Sequence, residues 1–522
     1  MRSFRTAGLL IFLLSVLSVS VHANIALPSM FSDNVVLQRD ISVPVWGWAD
    51  AGEKVTVVFH GQTKTTTAGD DGKWVVRLDP LSAGGPHSLV VEGNNRVEVK
   101  NVLVGEVWVC SGQSNMQWSV NQSWNADLEI KTAKYPQIRL MTLNIPGQQK
   151  DVEDFPAEWQ VCSPDTVSNF SAVGYYFGKQ LHQTLDVPIG LIDNAWGGSS
   201  CEAWIHRDQF RGKPLYEPLL NQWKEIESKP ENAKVYSDYE ANWTLWTKQN
   251  ITSKKSGKPV PQLPRGGRGV MFNQHRPANL YHARIKPLIP FAIRGAIWYQ
   301  GESNAGRAYQ YRDMFPMMIR NWRQDWGQGD FPFYWVQLAD FRQEKAEPAE
   351  SDWAELREAQ TMAMTNLPNS GEAVIIDIGE ASDIHPRNKS EVGKRLARWA
   401  LAKDYGMTEL AYRSPNFQSL QRQDGKLIVT FGHVGNGLRT VDERQVSGFA
   451  ISGDDKHWHW ADAKIIDKHR IEVSSSKVPD PVAVRYAWAD NPVCNVFTRE
   501  GLPLTPFRSD NWPGVTDSRL AR

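Results

Sequence analysis

Along the first hundred residues apolar and polar positions alternate in short runs. Residues 43–48, 54–60 and 73–78 are such runs, separated by Ala-Gly, Asp-Gly and Gly-Gly pairs. Period-two alternation punctuated by turns predicts a small β-sandwich over residues 24–100. From residue 101 the pattern changes. Near-continuous apolar runs at 102–110, 188–193, 293–299, 332–338 and 373–378 predict strands buried on both faces. Helical spacing at about 172–185, 309–326, 356–366 and 388–404 places helices between and after them. Together these predict an α/β sheet of about five parallel strands over residues 101–405. Residues 204–289 interrupt that order with a charged, helix-prone stretch and a basic, Gly/Pro-rich loop at 253–269. The loop reads equally as a mobile lid or as a disordered insertion. Beyond residue 406, runs at 426–431, 446–451 and 482–488 predict a second β-rich domain ending at 522.

The chemistry concentrates where apolar runs stop. Residues 105–118 read GEVWVCSGQSNMQW, a buried strand ending abruptly in small polar residues. Open α/β sheets bind ligands at that carboxyl edge, so the residue delivered there, Ser114, is a candidate nucleophile. Gly112 and Asn115 let the backbone turn tightly and aim N–H groups inward. The candidate base is His385, in GEASDIHPRNK at 379–389. Pro386 biases it toward an extended backbone. The loop follows one apolar run and precedes a helix, so it leaves the same sheet edge as Ser114. A serine hydroxyl needs an imidazole to take its proton, and a carboxylate such as Asp383 to orient the imidazole and stabilise its cation. The chain order Ser, Asp, His is that of α/β-hydrolases, but the pentad Gly112-Gln113-Ser114-Asn115-Met116 departs from G-x-S-x-G at Met116.

GQSNM at 112–116, WGGSSCEAW at 196–204, IWYQGESN at 297–304 and DIHPRNK at 383–389 resemble the sialate O-acetylesterase family, a branch of the SGNH hydrolases. The likeness extends to LPSMFSDNVVLQRD near the N-terminus and to RYAWADNPVCNVF and EGLPLTPFRSD near the C-terminus. It implies an SGNH-type, flavodoxin-like three-layer α/β domain with accessory β-sandwich domains, hydrolysing acetyl esters on sugars without a cofactor or metal. Relatives in this branch act on sialic acid or on plant cell-wall polysaccharides such as xylan or xyloglucan. The resemblance assigns Ser114 as nucleophile and His385 as base. The family's usual acid lies three residues before the histidine, where this chain has Ser382, so Asp383 is taken as the acid. Asp377, Glu380 or a backbone carbonyl remain alternatives. The oxyanion donors implied are the Ser114 backbone, a glycine of the Gly197-Gly198 pair, with Gly198 preferred, and a side chain that is either Gln300 or Asn304. Each such donor contributes roughly 3 kcal/mol to stabilising the developing negative charge. Gln113, Trp118 and Trp196 are expected to shape the substrate pocket.

Composition refines this reading. Residues 1–23, with Arg2 and Arg5 before an apolar core and a Val21-His22-Ala23 cleavage site, read as a signal peptide, so export to the periplasm or outside is expected. The apolar core is too short to span a bilayer. A formal net charge of zero argues against nucleic acid and anionic membranes as partners. Four cysteines are too few for a disulfide scaffold, though one bridge remains open, and Cys201 is expected near Ser114. Most of the 22 tryptophans are assigned to cores. His457 and His459 have no third ligand at useful spacing, so no metal is expected. The function classes left are a serine esterase and a catalytically silent carbohydrate-binding protein on the same frame.

Overall fold

The computed structural model describes residues 24–264 and 269–521. The expected signal peptide lies outside the described residues, as does part of the 253–269 loop.

One strand organises the molecule. β1 (Arg96–Gly112) is 17 residues long and crosses the boundary expected at residue 100 without a break. Its first part pairs antiparallel with Gly84–Glu92, and residues 103–105 pair parallel with Val36–Gln38, inside the N-terminal β-region. Its last part is the middle of a second sheet, flanked by β3 (Ile189–Ala195) and β4 (Gly295–Tyr299). With β2 (Tyr135–Thr142), β5 (Phe333–Val336) and β6 (Ser370–Ala373), the spatial order is β6-β5-β4-β1-β3-β2. All five neighbouring pairs are parallel, and the short strand Gln160–Cys162 adds antiparallel to β2.

The sheet therefore holds six parallel strands rather than about five. The unexpected one is β2, sequence YPQIRLMT, whose apolar run is broken by Pro136 and Arg139. Arg139 is nonetheless buried, donating to the Pro136 carbonyl and to the side-chain oxygens of Asn34 and Asn101. Burial pulls its pKa down to about 10. The last strand also differs from expectation. β6 ends at Ala373, where the predicted run began. Val374 and Ile376 face the C-terminal β-core while Ile375 faces the sheet, so this apolar run records burial on two sides and not extended pairing.

Successive side chains of a strand point to opposite faces. Val107 and Val109 enter one core, with α3 (Ala308–Trp326) and α4 (Asp352–Ala363). Trp108 and Cys110 enter the other, with α1 (Ala172–Leu185) and α5 (Lys389–Lys403). Two helical layers thus cover the sheet and leave its carboxyl edge for loops. Within 204–289, α2 (Pro230–Lys255) packs Tyr236, Tyr239, Trp243 and Trp246 inward. Its Lys254 ammonium pairs with the buried Asp154 carboxylate, and Lys255 donates to the Ala49 carbonyl at 2.8 Å. Residues 253–255, expected in a loop, are the last turn of this helix.

The C-terminal strands form two four-stranded antiparallel sheets and a two-stranded pair with Leu438–Thr440 and Val496–Thr498. Fully buried Arg357 of α4 ties this region down by donating to the carbonyls of Leu338, Ala339, Ala489 and Asp490. All four cysteines are free. Among the described residues no helix is long and apolar enough to cross a membrane.

Candidate active site

β1 ends at Gly112, whose φ of 138° lies where side chains are disfavoured. A Cβ there would stand 2.2 Å from the Tyr299 carbonyl oxygen of β4, so only glycine lets the two strand ends close up. Gln113 N–H then donates to Tyr299 O, and Trp196 N–H of the β3 loop donates to Gly112 O. Three strand ends are thereby knotted together, and the next residue, Ser114, opens a four-residue helical turn, Ser114–Gln117. Buried Met116, at the position that breaks the G-x-S-x-G pattern, accepts from Ser171 through its carbonyl.

His385 arrives from 271 residues away. Its Nε2 lies 2.8 Å from Ser114 Oγ. Asp383 folds back over two residues: its Oδ1 accepts the His385 backbone N–H at 2.9 Å and lies 3.4 Å from His385 Nδ1. That second distance is longer than a direct hydrogen bond and acts as a charge pairing. The alternative acids are engaged elsewhere. Asp377 is bound by both terminal nitrogens of Arg395, and Glu380 is bound by the Arg387 guanidinium.

The Gly-Gly turn lies against the serine. A Cβ on Gly197 would be 3.7 Å from Ser114 Cβ. Gly197 N–H is taken by Gln117 Oε1 at 2.9 Å, whereas Gly198, at φ 65°, is left-handed. Gln300 and Asn304 do not hydrogen-bond Ser114. The Gln300 amide donates to Ser199 O and Asn304 Oδ1 and accepts from Tyr311 OH. Asn304 donates to Glu202 and accepts the Cys201 N–H. Both are buried, and their polar groups brace the WGGSSCEAW loop. Cys201 itself is buried with its Sγ 3.8 Å from Met318 Sδ.

Of the expected pocket residues, Trp118 lies flat on the His385 ring, centroids 4.7 Å apart and planes 10° apart. Gln113 is buried, its Oε1 3.4 Å from the N–H groups of Gly301 and Ser303. Trp196 is half-buried under the Arg284 guanidinium, 4.5 Å from its ring centroid.

Asn115, expected only to shape the turn, joins the site from behind with Glu302 and Lys389, for which no role was expected. Asn115 donates to the Ile384 carbonyl at 2.9 Å and to Glu302 Oε1 at 2.6 Å. Its Oδ1 accepts from the fully buried Lys389 ammonium at 2.5 Å. Glu302 and Lys389 lie within the motifs IWYQGESN and DIHPRNK, a signal that could have found them. Burial pushes the Lys389 pKa down to about 7 and raises that of Glu302. Burial, then the Lys389 charge, holds the His385 pKa below its ordinary value, opposed by Asp383. The base is thus favoured in its neutral form.

Comparison with known proteins gives the family. A family model described as carbohydrate esterase, sialic acid-specific acetylesterase, matches residues 104–240 and 260–402. A mouse sialate O-acetylesterase is 30% identical, with 96% of this chain and 97% of the relative covered. The human sialate O-acetylesterase is 27% identical, with 93% of each chain covered. The crystal structure of a carbohydrate acetylesterase from Xanthomonas citri superposes with a TM-score of 0.78 at 36% identity, covering 94% of this chain and 100% of that one. The chain belongs to the sialic acid-specific acetylesterase family of carbohydrate esterases and is a carboxylic ester hydrolase.

Proposed function

We propose that the protein removes O-acetyl groups from sugars through an acyl-enzyme on Ser114, in an SGNH-type active site. The observation that carries this is the 2.8 Å contact between Ser114 Oγ and His385 Nε2 at the carboxyl edge of a parallel sheet. Neutral His385 takes the hydroxyl proton as Oγ attacks the acetyl carbonyl, and Asp383 steadies the resulting imidazolium. The negative charge that develops on the carbonyl oxygen is met by the backbone N–H groups of Ser114 and Gly198. Gly198 fits this role better than Gly197, whose N–H already serves Gln117. Collapse of the tetrahedral adduct expels the sugar oxygen, which takes its proton from His385. Water, activated by the same imidazole, then releases acetate and restores Ser114. Gln300 and Asn304 act as braces of the oxyanion loop, in place of the donor role that the family pattern implied. Trp118, Trp196 and Gln113 border the acyl site, and the apolar leader directs the protein out of the cytoplasm.

The substrate is an O-acetylated sialic acid, as the names of the mammalian relatives suggest, or an acetylated plant polysaccharide. Acetate release from O-acetyl sialic acid, acetylated xylan, xyloglucan and glucomannan, measured for the wild type and Ser114→Ala, tests both parts. Release from at least one substrate, lost in Ser114→Ala, is expected. No release from any sugar or from p-nitrophenyl acetate favours a silent carbohydrate-binding protein instead.

A further inference from the structure

Behind the Ser114–His385 pair lies a buried polar cluster that the acyl-transfer steps leave unused. Lys389 is the first residue of α5, at the end where the helix dipole disfavours a cation. It is wholly buried. Its ammonium sits 5.1 Å from the ring centroid of Tyr299 and 6.0 Å from that of Trp118, with Asn115 Oδ1 as its hydrogen-bond acceptor. A lysine in such a place costs folding energy, so it calls for a compensating role. Asn115 can satisfy Lys389 in only one orientation of its amide. That orientation aims Nδ2 at the Ile384 carbonyl, the peptide immediately before His385, and at Glu302. The lysine, the Ile384 carbonyl and Glu302 together fix the amide orientation, and with it the hold of the nucleophile turn on the base loop.

We propose that Lys389 is a positioning residue of this esterase: through Asn115 it clamps the Ile384–His385 peptide against the Ser114 turn, and its ammonium lies by the same Trp118 ring that stacks on the imidazole. The inference rests on Ser114 and His385 being nucleophile and base. Ser114, Asp383 and the Trp118 ring face the imidazole, and Lys389 of α5 acts on it through its charge. Asn115 and the rings of Tyr299 and Trp118 face the ammonium, and the charges of Glu302, Asp383 and Glu380 act on it. Asp383 pulls the imidazole toward the protonated state, and Lys389 opposes it. As pH falls through the range where histidines protonate, Lys389 is already charged, because its pKa is near 7. Its repulsion is thus present when it matters. Glu302, whose Oε2 has no hydrogen-bond partner among the described residues, lies against Asn115 as the nearby counter-charge.

The test compares pH profiles of kcat/KM for wild type, Lys389→Met and Lys389→Arg. Methionine keeps the length and apolar stem and removes the charge. The acidic limb of Lys389→Met is expected to move to higher pH, with a lower plateau, and Lys389→Arg should keep the limb near its wild-type position. A folded Lys389→Met with an unmoved limb overturns the proposal and leaves Lys389 a packing residue. Should Lys389→Met fail to fold, Lys389→Gln read by the same pH profile decides: a limb at higher pH than wild type supports the proposal, and an unmoved limb overturns it. Ser114→Ala run alongside separates the two failures: if it retains activity, the nucleophile assignment falls, whereas if it is inactive and the limb is unmoved, only the role of Lys389 falls.

Discussion

Trp118 stacks on one face of the His385 ring, with centroids 4.7 Å and planes 10° apart. The indole is itself held by Nε1 donating to the Gln122 carbonyl at 3.0 Å. Two effects on the base compete. The indole face attracts a cation, but the same contact removes water from the imidazole and disfavours its charge. Burial is the leading cause of the lowered His385 pKa, so desolvation prevails. Trp118→Ala should therefore raise the midpoint of the acidic limb of kcat/KM toward the ordinary histidine range near 6.5. An unmoved or lowered midpoint would show that the ring acts through cation attraction.

The wild-type profile follows from the same shift. The active form carries neutral His385, so kcat/KM should rise with pH through the His385 pKa. Because that pKa is held below 6.5, the midpoint of the rise should lie below the ordinary histidine value. His385→Ala should remove the limb and cost about 10⁴-fold or more in kcat, as should Ser114→Ala, if the pair acts as a unit. The measurement is steady-state acetate release across pH 4–9 (about 4 to 9, the range that brackets histidine titration).

Gln300 separates bracing from catalysis. It is fully buried and makes three side-chain hydrogen bonds, to Ser199 O, Asn304 Oδ1 and Tyr311 OH. Gln300→Leu takes a partner from Ser199 O and Tyr311 OH, while Asn304 Oδ1 keeps the Cys201 N–H, and should lower stability by about 1–3 kcal/mol. Thermal melting measures that cost. Activity per folded molecule near the wild-type level would mark a brace, and a fall of about 10²-fold or more without loss of stability would restore it as an oxyanion donor.

The sequence made some of this legible and hid the rest for definite reasons. The helix over Ala172–Leu185 carries its own apolar periodicity, and the structure forms it at those residues. β2 was hidden because Arg139 and Pro136 break its pattern, and contacts with the Pro136 carbonyl, Asn34 and Asn101 make a buried arginine tolerable. The Ser114–His385 contact spans 271 residues, so no local pattern predicts it, and only their shared sheet edge suggested proximity. Lys389 was hidden for a different reason. A lysine at the start of a helix reads as a solvated side chain, and its burial exists only once α5 docks on the nucleophile turn.

Asp383 is the most demanding assignment, because it lies two residues from His385 and shares its carboxylate between the backbone N–H at 2.9 Å and Nδ1 at 3.4 Å. It is also exposed, with 45% of its side chain open to solvent, so water screens its charge. A buried, directly bonded aspartate in a serine triad is worth about 10⁴-fold in kcat. A longer, hydrated contact should be worth less, and Asp383→Asn should cost about 10–10³-fold, between the values for a full triad and a bare dyad. The substitution also removes the group that draws a proton to the imidazole, so its residual activity should show an acidic limb at lower pH than wild type. Asp377→Asn and Glu380→Gln serve as comparisons. Asp377 is locked to Arg395, so its loss should lower the melting temperature more than kcat. Glu380 binds the Arg387 backbone and guanidinium, so its loss should loosen the loop and raise KM before it lowers kcat. If Asp383→Asn retains activity within about threefold of wild type and its acidic limb does not move, the imidazole is oriented by the loop backbone alone, and the site works as a Ser114–His385 dyad.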